Sequence, residues 1–237
     1  MSFVWASVVG LLVSVVVAVL AAVTRDRTSQ RRRAALAAWA QRNELTYEPA
    51  VPALALNWPG PPFNGDTAGR AVDVLSGLTL HGRPFCAFTY RSDKSFGRGW
   101  DNDVATQTVI ALRLPAMMPE LAVTAEGFVA KAAKALGGQD VEVGDHEFDK
   151  AYRVQASDES FARDVLCPPV TRLLVRKGWE MTPWRISGAD LLCWQEGKLD
   201  RDRLLPQLEL MTEVFETIPE HVWTSYGRAL PPGRELR

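Results

Sequence analysis

Apolar residues first come as an unbroken run along the chain, and only afterwards fall into periodic patterns. Residues 3–23, FVWASVVGLLVSVVVAVLAAV, hold no charge and no proline, and only Ser7 and Ser14 interrupt them with polar groups. A helix rises about 1.5 Å per residue, so this run matches the hydrocarbon thickness of a bilayer, and a helix satisfies its backbone polar groups internally. The pattern predicts a signal anchor, one N-terminal transmembrane helix, with Trp5 at headgroup depth. A cleaved signal peptide would need a positive segment ahead of the run. None is there, although Val19-Leu20-Ala21 has cleavage-site character. A buried core helix this uniformly apolar would be out of place in a domain of this size.

Behind the anchor the pattern turns helical over 29–43, where Ala34, Ala35, Ala38 and Trp39 form a stripe and Asn43 offers a left-handed stop. Leu45-Thr46-Tyr47 then reads as a strand. Residues 48–66, with five prolines and two glycines, read as a loop whose Trp58 and Phe63 lie down on the domain. Segments 70–80 and 83–90 predict a hairpin turning at His81-Gly82. A polar, glycine-rich loop follows over 92–102. Next comes an alternating strand over 106–114, its exit bracketed by Pro115 and Pro119, and a separate short strand over 121–125. Further on the expectations are a helix over 126–136, strands over 141–143 and 148–156, and a helix over 159–167 capped by Asp158. Another helix opens on Pro168 and Pro169 and ends at Gly178. Segments 184–187 and 191–194 predict a second hairpin around Gly188. The last helix, 203–217, aligns Leu204, Leu208, Met211, Phe215 and Ile218 on one face and carries Pro206 in its first turn.

Hairpins and meanders with helices inserted between them predict an α+β fold: an N-terminal transmembrane helix followed by a mainly antiparallel sheet covered by helices. The corresponding division is an anchor over 1–24, a basic juxtamembrane helix over 25–44, a soluble α+β domain over 45–226, and a frayed tail over 227–237.

Charge gives this arrangement an orientation. Arg25, Arg27, Arg31, Arg32 and Arg33 follow the apolar run, opposed only by Asp26, while nothing charged precedes it. Arginine near a transmembrane end marks the cytoplasmic side, so the N-terminus points out and the domain lies in the cytoplasm, at the cell membrane. These five arginines are the candidate contacts with anionic lipid headgroups. Of 27 basic and 28 acidic residues, the rest of the chain keeps 22 and 27, a net of −5. That mildly acidic balance argues against nucleic acid as a partner. Cys86, Cys167 and Cys193 are odd in number, far apart and flanked by apolar residues, as buried reduced thiols are.

Candidate chemistry is sparse. His146-Glu147-Phe148-Asp149-Lys150 opens like a zinc-protease motif, but Lys150 stands where the second histidine is required. Asp101-Asn102-Asp103 opens like a calcium loop, but Thr106 and Leu112 replace the glycine and the bidentate glutamate. No phosphate-binding glycine motif and no nucleophile elbow occurs; Gly97-Arg98-Gly99 with Lys94 offers at most a weak anion contact. The reading is therefore no metal, no cofactor and no identifiable catalytic residue. Trp58, Trp100, Trp179, Trp184, Trp194 and Trp223 either line a groove or pack the core edge, and packing is the commoner role.

Three stretches carry a resemblance: AALAAWAQRNELTY, NWPGPPFNGDTAGRAVDVLSGLTLHGRPFCAFTY, and HEFDKAYRVQASDESFARDVLCPPVTRLL with a closing IPEHVW. The chain resembles single-pass membrane-anchored proteins of actinobacteria, a group of unknown function. The resemblance implies the anchor and the α+β domain, and no site residues. The expectation is a membrane-tethered module that binds a protein partner or lipid headgroups. The alternative is a membrane-bound, hydrolase-like enzyme using carboxylates in a tryptophan-lined cleft. A third possibility is an accessory that assembles through its membrane helix, where Gly10, Ala18, Ala21 and Ala22 allow close packing.

Overall fold

The computed structural model describes residues 24, 27–63, 69–93, 104–125, 138–177 and 183–230. The expected anchor over 3–23, the expected helix over 126–136 and most of the expected loop over 92–102 lie outside these residues. Among the described residues no helix is long and apolar enough to cross a membrane.

Helix α1 covers residues 27–42 and leads into β1 (Thr46–Ala50), a short 3-10 helix (Pro52–Asn57), β2 (Arg70–Leu78) and β3 (Pro84–Asp93). Strand β4 (Val104–Ala125) follows, then β5 (Gln139–Val141), α2 (His146–Ala151), β6 (Tyr152–Ala156), α3 (Glu159–Val165) and α4 (Pro168–Lys177). The chain closes with β7 (Trp184–Glu196), α5 (Arg201–Thr217) and α6 (Glu220–Tyr226). The described strands join one antiparallel sheet in the order β1-β2-β3-β4-β6-β5, with β7 along the other side of β4. The α+β expectation holds.

Strand alternation gives the sheet two dry faces. On β3 and β4, Phe85, Ala87, Ile110 and Leu112 face a core shared with Leu36 and Ala40 of α1 and with the later helices. Their neighbours Cys86, Phe88, Val109 and Ala111 face the proline-rich segment, where Trp58 and Phe63 are buried as expected. Trp58, Phe63 and Phe88 stack with centroids 5.5–6.2 Å apart, and Tyr90 meets Phe63 edge-on at 5.0 Å. Because Leu36 and Ala40 belong to the main core, α1 is packed on the domain rather than standing clear of it.

Several local expectations are corrected. Segments 106–114 and 121–125 form one strand. Pro115 and Pro119 are tolerated because the β3 ladder stops at Leu112, the β6 ladder starts at Leu121, and the β7 register shifts on both sides of Met118. Segments 184–187 and 191–194 are likewise one strand along β4. It folds over at Gly188 (φ +57°) far enough for the Trp194 N–H to reach the Pro183 carbonyl at 3.3 Å. The expected strand over 148–156 begins as a helix instead, because Asp145 caps it by accepting from the Phe148 N–H. Glu44, not Asn43, takes the left-handed conformation (φ +58°) after α1, while the Asn43 side chain donates to the Trp39 carbonyl. Helix α5 starts earlier than expected, capped by Asp200, which moves Pro206 from the first turn to the second.

Candidate docking groove

The groove is built on the β2–β3 turn. The Thr79 N–H donates to the Arg83 carbonyl (2.8 Å), and the Gly82 N–H to the Thr79 carbonyl (2.8 Å). Gly82 takes φ +74°, which a β-carbon would strain. So tight a turn drives its leucines outwards: Leu78 is 62% exposed and Leu80 93%. Two contacts fix the turn against α5. The Arg83 guanidinium lies 3.5 Å above the Phe215 ring, and His81 Nδ1 lies 2.8 Å from Glu216.

Between turn and helix is a cavity of about 310 Å³. Leu45, Phe85 and Leu208 line its apolar interior, Leu78, Leu80 and Leu205 its lip, and Glu209, Glu213 and Glu216 its rim. Asn43 and Leu45 bring in the α1–β1 junction, which the Leu45 N–H fixes by donating to the Ala40 carbonyl (2.9 Å). Leu205 is 45% exposed, so three of the large hydrophobic side chains left in solvent converge on one opening. A roomier hollow of about 570 Å³ lies between α2, α4 and α5, but Asp145, Glu147, Arg172 and Arg176 make it polar and shallow. Volume alone would favour that hollow; the exposed leucines favour the smaller groove.

The five arginines fall into different settings. Arg25 lies outside the described residues. Arg27 and Arg31 are exposed on α1. Arg32 and Arg33 turn to a carboxylate that sequence reasoning did not single out, that of Asp73 in β2. Arg32 Nη1 stands 2.5 Å from it and Arg33 Nε 3.6 Å, and Arg32 also donates to the Leu199 carbonyl (2.7 Å). Asp73 sits at a register shift in β2 with φ +53°, which aims its side chain at the helix. The Tyr47 hydroxyl donates to the same carboxylate (3.1 Å). Burial, reinforced by the Asp73 charge, pushes that phenol up to about 12.

On the other face Asp190 is buried in β7. It accepts from Trp58 Nε1 (2.8 Å) and lies 3.3 Å from Arg113 Nε. Arg185, five residues earlier on the same strand, is also buried and donates to the Pro59 carbonyl (2.5 Å). Burial lowers this guanidinium to about 10, against the opposing pull of Glu120. These contacts stitch the proline-rich segment to the sheet.

The tryptophans and thiols have structural settings. Trp58, Trp184 and Trp194 are buried, and Trp223 stacks on Phe215 at 4.8 Å; Trp100 and Trp179 lie outside the described residues. Cys86 and Cys193 are buried thiols outside any disulfide, and burial pushes Cys193 up to about 12 and Cys86 further in the same direction. Cys167 is half-buried. His146 and Glu147 lie exposed on α2, and among the described residues no three His, Cys, Asp or Glu side chains gather as metal ligands would. The calcium-like Asp101-Asn102-Asp103 and the Lys94 to Gly99 stretch lie outside the described residues. The groove itself left a faint trace in the sequence: two leucines flanking a tight turn, with Leu205 lying off the main stripe of its helix.

No family model matches the chain, and no curated protein matches it. Among solved structures, the chain is similar to the crystal structure of the mycobacterial trehalose monomycolate transport factor A, TtfA. The TM-score is 0.55 at 16% identity, over 80% of this chain and 95% of that one, a likeness of fold.

Proposed function

We propose that this chain is a membrane-tethered, non-enzymatic module that faces the cytoplasm and binds a partner through the groove between the β2–β3 turn and α5. The observation that carries the reading is the convergence of Leu78, Leu80 and Leu205 on one opening, since an exposed apolar cluster rimmed by polar groups marks an interaction site. The rim carboxylates Glu209, Glu213 and Glu216 stand on one helix at spacings of four and three. They do not face one another across a cleft, as an acid–base pair would need to, which weighs against the hydrolase alternative. The anchor over 3–23 and the arginines behind it supply the tether and its orientation. Arg25, Arg27 and Arg31 are the residues proposed to meet anionic headgroups, because Arg32 and Arg33 are engaged by Asp73. The resemblance to actinobacterial anchored proteins and the fold similarity to a trehalose monomycolate transport factor make an accessory role in such transport the first process to test.

The experiment uses the full chain in its membrane, with a photo-crosslinking residue at Leu80 or at Leu56. Leu56 is 79% exposed but lies on the 3-10 helix, away from the groove. A discrete adduct from position 80 and none from position 56 is expected. Equal labelling at both positions, or at neither, would overturn the groove as the binding surface. A protease-accessible C-terminal tag on intact spheroplasts would overturn the orientation.

A further inference from the structure

We infer that the partner segment is a cationic amphipathic helix, with apolar anchors flanked by lysine or arginine; this rests on the groove being the docking surface. The ground is charge complementarity. Among the described residues lining the groove there are three carboxylates, Glu209, Glu213 and Glu216, one histidine, and no lysine or arginine. The described cations that touch α5 nearby do not line the groove. Arg176 and Lys177 reach Glu213 from α4 at 3.3 and 3.6 Å, and Arg83 lies over Phe215. His81 covers Glu216 on the hairpin side, whereas Glu209, exposed on α5, makes no ion pair with another described residue.

The arrangement selects among occupants. An anionic lipid headgroup entering the groove would bring its phosphate against the carboxylate rim. A segment carrying acidic residues meets the same repulsion. A helix laying leucine-like side chains among Leu78, Leu80 and Leu205 fills the apolar interior while its flanking cations lie along the Glu209, Glu213 and Glu216 edge. The two parts of the contact then divide the work: apolar burial sets the lifetime of the complex, and the charges set its encounter rate and its choice of partner. A cavity of about 310 Å³ suits a few side-chain anchors, not a whole folded domain.

The test places the full chain in nanodiscs of neutral phosphatidylcholine and follows the anisotropy of a labelled synthetic peptide of leucine and lysine at helical spacing. A leucine–glutamate peptide of the same length and spacing serves as its comparison. Wild type is expected to bind the lysine peptide at least about tenfold more tightly than the glutamate one, with affinity falling as salt is added. Leu80→Ser should weaken binding about tenfold or more, and Glu209→Lys about fivefold, while Leu56→Ser changes nothing. Circular dichroism of each variant separates loss of binding from loss of fold. If Leu80→Ser weakens binding but the two peptides bind alike and Glu209→Lys has no effect, the cationic partner is overturned and the groove stands. If Leu56→Ser and Leu80→Ser behave alike, the groove itself fails. Displacement of the peptide by a fluorescent fatty acid, without any charge preference, would assign the groove to an acyl chain instead.

Discussion

Two buried aspartates each fasten a covering layer to the sheet, but their arginine partners differ in exposure to water. Asp190 holds the proline-rich segment through Trp58 and meets Arg113, with its side chain 1% exposed and that of Arg113 only 11%. Asp73 holds helix α1 through Arg32 and Arg33, whose side chains are 33% and 48% exposed. The chemistry is the same, but the energetics differ. Taking charges fully out of water is costly, and the pair is then strongly coupled, so removing one partner strands the other. A pair that keeps its guanidinium groups in water loses less when broken and is screened by salt. One junction is therefore a permanent seam. The other is a softer link at the place where the chain leaves its proposed anchor.

The largest effect expected from breaking this comparison is at the seam. Asp190→Ala leaves the Arg113 charge and the Trp58 N–H without their carboxylate in a dry interior and should cost about 3–5 kcal/mol in urea unfolding. For a domain of this size that corresponds to roughly 10 °C in melting temperature. A loss below about 1 kcal/mol would show that the seam is held by aromatic stacking alone. Trp58→Ala distinguishes the contributions, because it removes the stack with Phe63 and Phe88 together with the hydrogen bond.

Asp73→Ala should cost less, about 1–2 kcal/mol at low salt, once the exposure of both arginines is discounted. The sharper test is salt dependence. At about 1 M salt, where the Debye length is about 3 Å, the cost of Asp73→Ala should shrink while that of Asp190→Ala holds. Equal salt sensitivity would erase the distinction between seam and link.

The two junctions also show how far the fold could be read from sequence. Trp58 and Phe63 were legible as buried, because large aromatics in a proline-rich stretch seldom stay in water. Their partner Asp190 was not, since it lies 132 residues from Trp58 along the chain and no local pattern connects them. The helix over 29–43 was legible from its alanines and the cation cluster from its charges, but the buried face was not: Ala34, Ala35 and Ala38 are exposed, and Leu36 and Ala40 pack on the core. That two of the clustered arginines pair with one carboxylate depends on Asp73, whose placement comes from a bulge that alternation cannot reveal. The bends in β4 and β7 misled for a related reason: proline and glycine mark a change of direction, but only the ladder shows whether a strand ends there or folds and continues. The groove was least legible. Leu78, Leu80 and Leu205 have nothing unusual about them until the turn and α5 are placed side by side.

The smallest effect is at Tyr47, and it probes the soft link by pH. Burial and the Asp73 carboxylate raise this phenol from 10.0 to about 12. Between those values the unfolded chain gives up the proton while the folded chain keeps it. The group's contribution is thus fully present below about pH 10 and is lost as pH rises to about 12. Burial also raises Cys193 and Cys86, and the hydrogen bond to Asp164 raises Tyr226, so other groups also weaken the fold in alkali, and only a difference isolates Tyr47. Tyr47→Phe cannot ionise. Its urea midpoint, measured beside wild type from about pH 9 upwards, should fall less steeply through the window. In an Asp73→Ala background the two curves should draw partly together, because the Asp73 charge is gone while burial still opposes ionisation. If the difference between wild type and Tyr47→Phe stays constant across the window, the phenol is not coupled to folding, and the link between α1 and the sheet rests on Arg32 and Arg33 alone.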